Sequence, residues 1–230
     1  MSGGVAVPVL AIDGPSGSGK GTISRRIAQA TGWQLLDSGA LYRLVALAGI
    51  RGGLVEGDQA GHAALAGSMQ VQFGSRADGS ELVRLDGADV TAAIREEIIS
   101  QGASRVAAWP PVREALMDRQ RAFAQRPGLV ADGRDMGTVV FPAARLKIYL
   151  TASADERAQR RYKQLKDKGS AVSLAALSRE IAERDERDSN RAIAPLKPAP
   201  DAQILDSTGL PIEAVVAQVL QLGRQHSLWS

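Results

Sequence analysis

The chain has 230 residues, 44% hydrophobic and 23% charged, enough for one α/β domain with insertions and a full core. No apolar run approaches the roughly 18 residues of a membrane helix, and the lack of Cys excludes disulfides and thiolate metal sites. The net charge is only +3, basic and acidic residues are interleaved, and the aromatics (three each of Trp, Tyr and Phe) form no stacking series, so a pI near 9.4 does not make a nucleic-acid binder.

Residues 1–12 carry no basic leader and no cleavage pattern, and the expectation is a cytoplasmic protein. Val7–Asp13 is a near-continuous apolar run, as a buried parallel strand should be. Gly14, Pro15, Ser16, Gly17, Ser18, Gly19, Lys20, Gly21 and Thr22 follow it directly. Glycines at this spacing let main-chain N–H groups form an anion nest, and the next helix adds its positive end. This is a phosphate loop for ATP: Lys20 reaches the outer phosphates and the Thr22 hydroxyl serves Mg²⁺. It departs from G-x-x-x-x-G-K-[ST] in one respect, since Gly21 pushes the hydroxyl one residue late.

Ile23, Ile27 and Ala30 predict one apolar face of a helix stopped by Gly32. Gln34–Asp37 reads as a second strand, and Ala40–Gly49 as a helix capped by Ser38. Residues 52–94 break the rhythm, with Val71–Phe73 and Glu81–Leu85 alternating like a hairpin across Arg76–Ser80. One helix then ends near Trp109, and another runs from Pro110-Pro111 to Gln125. Leu129–Asp132, Lys147–Thr151 and Gln203–Asp206 are three further buried strands. Ser153 with Glu156 forms a capping box for a helix to Lys166. Ala194–Pro200 is an ordered connector, and Ile212, Val215, Val216, Val219 and Leu220 form the stripe of a last helix opened by Pro211. Five strands separated by helices predict a doubly wound parallel sheet.

Phosphate loops serve motors, switches and transferases. The chain has no N-K-x-D segment for reading guanine, and it is short for a motor. A small-molecule kinase needs a second phosphate site and a cationic cover that excludes water. Basic residues suited to both are present: 22 are Arg against 6 Lys, and Arg binds phosphate with a planar fork. Asp132, Gly133, Arg134 and Asp135 sit at a strand's C-terminal end, where ligands bind in open α/β sheets. Arg157, Arg160 and Arg161 follow the fourth strand. Arg184, Arg187, Asp188 and Arg191 fall at i, i+3, i+4, i+7, a face that repels itself unless an anion neutralises it; a solvated, salt-bridged helix is the plainer alternative. His62 and His226 read as surface residues.

Several segments together resemble the bacterial cytidylate kinases, within the nucleoside-monophosphate kinase superfamily of P-loop proteins. They are Ile12–Thr22, Leu35–Arg43, Val112–Leu116 with Arg119–Arg121, Ala131–Pro142, Glu183–Asp188, Asn190–Pro195 and Leu205–Thr208. The Gly-Lys-Gly-Thr loop ending is usual there. The resemblance implies phosphoryl transfer from ATP to CMP or dCMP with Mg²⁺, by a monomer without nucleic-acid or membrane partners. It implies a single kinase domain: a core of residues 1–38, 96–153 and 171–230, an acceptor-binding insertion over 39–95, and a short lid over 154–170. By that resemblance Ser104, Arg113 and Asp135 read the base, and Arg184 and Asp188 the sugar. Arg43, Arg134 and Arg191, with Ser38 nearby, hold the acceptor phosphate. Lys20, Arg134, Arg157 and Arg161 are the expected catalytic cations, the last two as lid arginines of which either could bridge donor and acceptor. Asp135 has a structural salt bridge as its alternative. Asp132 is the expected support for Mg²⁺, through water and beside Thr22, with Asp13 as its rival. A kinase for another small acceptor and a nucleotide-dependent RNA-binding module are the competing functions.

Overall fold

The computed structural model describes residues 7–77, 80–167 and 171–229. Its strands are β1 (Val9–Asp13), β2 (Gln34–Asp37), β3 (Val71–Ser75), β4 (Glu81–Leu85), β5 (Ala88–Asp89), β6 (Leu129–Gly133), β7 (Leu146–Thr151) and β8 (Gln203–Asp206). Its α-helices are α1 (Lys20–Thr31), α2 (Ser38–Arg51), α3 (Gln59–Ser68), α4 (Glu97–Val106), α5 (Pro110–Arg121), α6 (Ala154–Lys166), α7 (Leu174–Ser189) and α8 (Ile212–Gln225). Part of the expected hairpin turn (residues 78–79) and the end of the expected lid (168–170) lie outside the described residues.

The chain divides into two compact units, one made of 1–37 with 120–230 and the other of 38–119. The first holds a five-stranded sheet in the order β2-β6-β1-β7-β8, with every pair parallel. Central β1 and β6 are buried along their whole length, which is why their sequences are unbroken runs rather than alternations. Ile23, Ile27 and Ala28 of α1 and Val215 and Val219 of α8 join Leu10, Ile12, Ile148 and Leu150 in one core. Gly32 closes α1 in the left-handed conformation, φ 69°. Ala30 and Ile212 depart from the expected stripes and face solvent. Each lies near a helix end, and past the end of α1 Trp33 supplies the core contact, edge-on to Trp229 at 5.0 Å. Ser38 is the first residue of α2 rather than its cap.

In the second unit α2 packs on α4, closely enough that a Cβ on Gly102 would stand 3.1 Å from Ala46 Cβ. The unit runs from Ser38 to Arg119. The β3–β4 hairpin is antiparallel, Val71 opposite Leu85, and β5 adds a third strand that the sequence did not announce. Helix α3 was also not anticipated. Its His62 is buried at 7% exposure rather than on the surface, edge-on to Trp109, with Nδ1 2.7 Å from the Asp58 carbonyl oxygen. The Nε2 edge of the imidazole fills the space over Gly49, where a Cβ would stand 2.2 Å from that nitrogen, while the Asp58 carbonyl satisfies Nδ1. His226 is exposed, as expected.

Candidate active site

The phosphate loop leaves β1 at Gly14, where a Cβ would stand 2.0 Å from the Leu150 carbonyl oxygen, so only glycine fits against β7. At its other end Gly19 opens α1 with φ 93°, no capping side chain and no acidic residue in the first turn. The first amides of α1 are thereby left to an anionic ligand. The loop's carbonyls are held by side chains. Lys20 Nζ donates to Pro15 O at 2.7 Å, and Ser18 Oγ donates to the same oxygen at 3.1 Å. Arg157 Nη1 donates to Ser16 O at 3.1 Å; Arg160 Nη1 and Ser207 Oγ both donate to Ser18 O at 3.3 Å. Carbonyls engaged in this way leave the loop N–H groups for phosphate.

Three charged groups meet at this loop. Both oxygens of Asp13 accept main-chain amides, from Met136 and Gly137 at 2.8 Å each. Asp13 therefore anchors the π-helical turn Met136–Val140 that follows the Asp132–Asp135 segment, a role its sequence position did not reveal. Burial pushes its carboxyl up to about 7 against those two amides. Asp132 is 8% exposed, and a Cβ on Gly21 would stand 3.5 Å from its Oδ2. The glycine that displaced the expected hydroxyl thus lies directly against this carboxylate. Thr22 lies exposed in the same helical turn. Burial and then the Arg134 guanidinium push the Lys20 ammonium down to about 7, with Asp132 and Asp13 opposing.

Beside this lies an arginine cluster. Asp188 on α7 is fully buried, with one oxygen accepting from Arg134 Nε at 3.0 Å and the other from Arg191. Burial works to raise the Asp188 carboxyl, but Arg134, Arg191 and Arg184 together hold it below the usual range. Arg191 lies past the end of α7, and Arg184 is half-buried on it. Arg187 does not join them. It is 47% exposed and 4.0 Å from Glu183, the salt-bridged, solvated alternative. Asp135 is buried, and its carbonyl accepts the amides of Val139 and Val140.

The expected lid arginines differ from each other. Arg157 is buried and bound to Ser16 O, Ala152 O and Asp185, which departs from a mobile cover; three carbonyl and carboxylate acceptors surround it at the first turn of α6. Arg161 is half-buried and donates to Gln164 Oε1 at 3.1 Å. Arg160, grouped in the sequence with Arg157 and Arg161 as a candidate cover cation, instead reaches Ser207 O at 2.6 Å and Ser18 O of the loop at 3.3 Å. Ser153 caps α6 by accepting the Glu156 amide, one half of the expected capping box; its own amide donates to Thr208 Oγ1 at 2.9 Å, while Glu156 Oε1 accepts from Arg160.

The second unit holds Ser38, Arg43, Ser104 and Arg113. Ser38 and Ser104 are buried, and Arg43 is half-buried. Arg113 is buried on α5, with Nη1 3.4 Å from Tyr42 Oη and 3.3 Å from Ala107 O.

A family model described as cytidylate kinase matches residues 10–225. A cytidylate kinase of Pseudomonas aeruginosa is 60% identical over 218 residues, covering 94% of this chain and 95% of its own. One from Stutzerimonas stutzeri is 60% identical over 215 residues, 93% and 94% of the two chains. One from Shewanella loihica is 56% identical over 213 residues, 93% of each.

Proposed function

The chain belongs to the cytidylate kinase family, and from that premise we propose that it transfers the terminal phosphoryl group of ATP to CMP and dCMP. An oxygen of the acceptor phosphate attacks the γ-phosphorus, the bond to the β,γ-bridging oxygen breaks, and ADP leaves with CDP or dCDP formed. The single observation that carries this reading is the loop Gly14–Thr22, with uncapped helix amides and Lys20, beside the Arg134–Asp188–Arg191 cluster.

The protein's work is positioning and charge. We assign Gly14–Thr22 and Lys20 to the ATP phosphates. Arg134, Arg191, Arg43 and Ser38 are assigned to the acceptor phosphate. Arg184 and Asp188 are assigned to the sugar. Asp135 accepts the cytosine amino proton, while Ser104 and Arg113 donate to the ring nitrogen and carbonyl. Residues 39–95 serve the acceptor and 154–170 the cover, where Arg161 is our choice to reach the transferring group because Arg157 is bound to the loop.

Mg²⁺ fits this donor set: both oxygens of Asp13 accept amides, whereas Asp132 lies by the first turn of α1 and Thr22. Thr22 and Asp132 would hold it, and the ion would neutralise charge on the transferring phosphates. Among the described residues no helix is long and apolar enough to cross a membrane. A monomer in the cytoplasm completes the proposal.

The test is ADP release with CMP, dCMP, UMP, AMP, GMP and a sugar, for the native enzyme and Asp135→Asn. CMP and dCMP should lead, with UMP slower by at least about tenfold, because a site built on hydrogen-bond pairs leaves its own groups unsatisfied by the wrong base. Asp135→Asn should narrow that gap. Faster turnover of a purine monophosphate or the sugar overturns the reading.

A further inference from the structure

We infer that the Arg157–Asp185 pair is a strut that fixes the phosphate loop against the acceptor-binding face of α7, so that one ion pair sets the alignment of the two phosphates. The inference rests on the function proposed above. Neither residue needs to touch a substrate for this; both are positioning residues.

Arg157 uses every nitrogen of its fork. Nε donates to Ala152 O at 3.0 Å, Nη1 to Ser16 O at 3.1 Å and Nη2 to Asp185 Oδ2 at 2.6 Å. The first bond ties it to the end of β7, the second to the loop, the third to α7. There is little slack on the loop side, since a Cβ on Gly17 would stand 3.1 Å from Arg157 Cβ and 3.4 Å from its carbonyl oxygen. On the other side Asp185 lies between Arg184 and Asp188, and Asp188 in turn holds Arg134 and Arg191. A shift of Arg157 is therefore passed to the donor loop and to the helix that carries the acceptor residues.

A purely stabilising role accounts poorly for the pair. The side chains are 6% and 26% exposed, and among the described residues Asp185 Oδ1 is buried with no hydrogen-bond partner. A half-satisfied buried carboxylate costs stability that a well-packed apolar pair would not. What the pair provides and an apolar one cannot is a directional three-way link.

The experiment compares Asp185→Asn and Asp185→Glu with the native enzyme. It measures kcat at saturating ATP and CMP, and the affinity for CMP and for a non-hydrolysable ATP analogue, each alone, by calorimetry. Asn should lower kcat about tenfold, as misplaced reacting groups do, with each separate affinity within about threefold of native. Glu, which keeps the charge, should recover most of the rate. An unchanged kcat overturns the strut, as does a rate loss explained by weaker binding of one nucleotide alone, or a Glu variant no better than Asn. A native enzyme inactive on CMP overturns the functional reading itself, and the strut with it. An active native enzyme with an indifferent Asp185→Asn removes only the strut.

Discussion

The arginines beside the phosphate loop and those around Asp188 are both held by hydrogen bonds and ion pairs, but only the former bind the loop's main chain. Arg157 and Arg160 donate to main-chain carbonyls of the loop, at Ser16 and Ser18. Arg134 and Arg191 donate to a side-chain carboxylate, that of Asp188. A guanidinium on a backbone carbonyl shapes the chain and has no reason to let go when a ligand arrives. A guanidinium on a carboxylate can exchange it for a phosphate, because the two anions offer the same fork geometry. The loop is thus built before ATP binds, whereas the Asp188 cluster is arranged for exchange.

The largest effect should come from the loop. Lys20→Ala should lower kcat/KM by about 10³-fold or more, the scale of removing a preorganised electrostatic group, with the fold intact by circular dichroism. A rate near native would mean that the prebuilt loop is not where the donor phosphates go. Asp188→Asn probes the other side. It should lower kcat/KM for CMP by about 10- to 100-fold, since one partner of a buried, hydrogen-bonded charge pair is removed. The three guanidiniums around position 188 would then lack their shared countercharge, and anions should substitute for it. Added phosphate should therefore raise the variant's Tm more than the native protein's, by linkage. Equal shifts would show that the Asp188 bonds are as permanent as those of the loop.

The same division governs what could be read from the sequence. The parallel strands were legible because β1 and β6 are buried on both faces and so read as apolar runs. The loop was legible because an anion nest demands glycine at set intervals, and Gly14 meets a carbonyl at a distance that admits nothing larger. Helix α3 was not, since its Ala- and Gly-rich sequence has almost no apolar stripe to report. Nor was the difference between Arg187 and Arg191: helical spacing puts them on one face, but α7 ends at Ser189 and Arg191 turns back to Asp188. Asp13, Arg160, Asp185 and Ser207 bond mainly to partners far away in the chain, several of them backbone atoms, and no local pattern encodes such a bond. The one available signal was a row of polar residues, Asp206, Ser207 and Thr208, ending the edge strand β8, of which only Leu205 is buried.

The last effect concerns the charge on the loop itself. Burial and Arg134 bring Lys20 from 10.5 down to about 7 in the nucleotide-free protein. The unfolded chain keeps the ordinary value, so between roughly pH 7 and 10 it binds more protons than the folded one. Stability then rises with pH across that window, by up to about 1.4 kcal/mol per pH unit. Asp13 acts below it: raised from 3.8 to about 7, it makes the folded state the better proton binder from roughly pH 4 to 7, and stability falls as pH climbs. These two groups together put the weakest point of the free enzyme near neutrality. Lys20→Met should erase the upper arm and leave the lower one, so that native Tm minus variant Tm grows from pH 7 to pH 10. Saturating ATP analogue should flatten the native upper arm, because phosphate oxygens return to Lys20 the proton that burial withheld. A native-minus-variant difference that stays level across that window would mean that Lys20 keeps its full charge without nucleotide. The loop would then be complete in charge as well as in shape, and phosphate binding would draw in no proton.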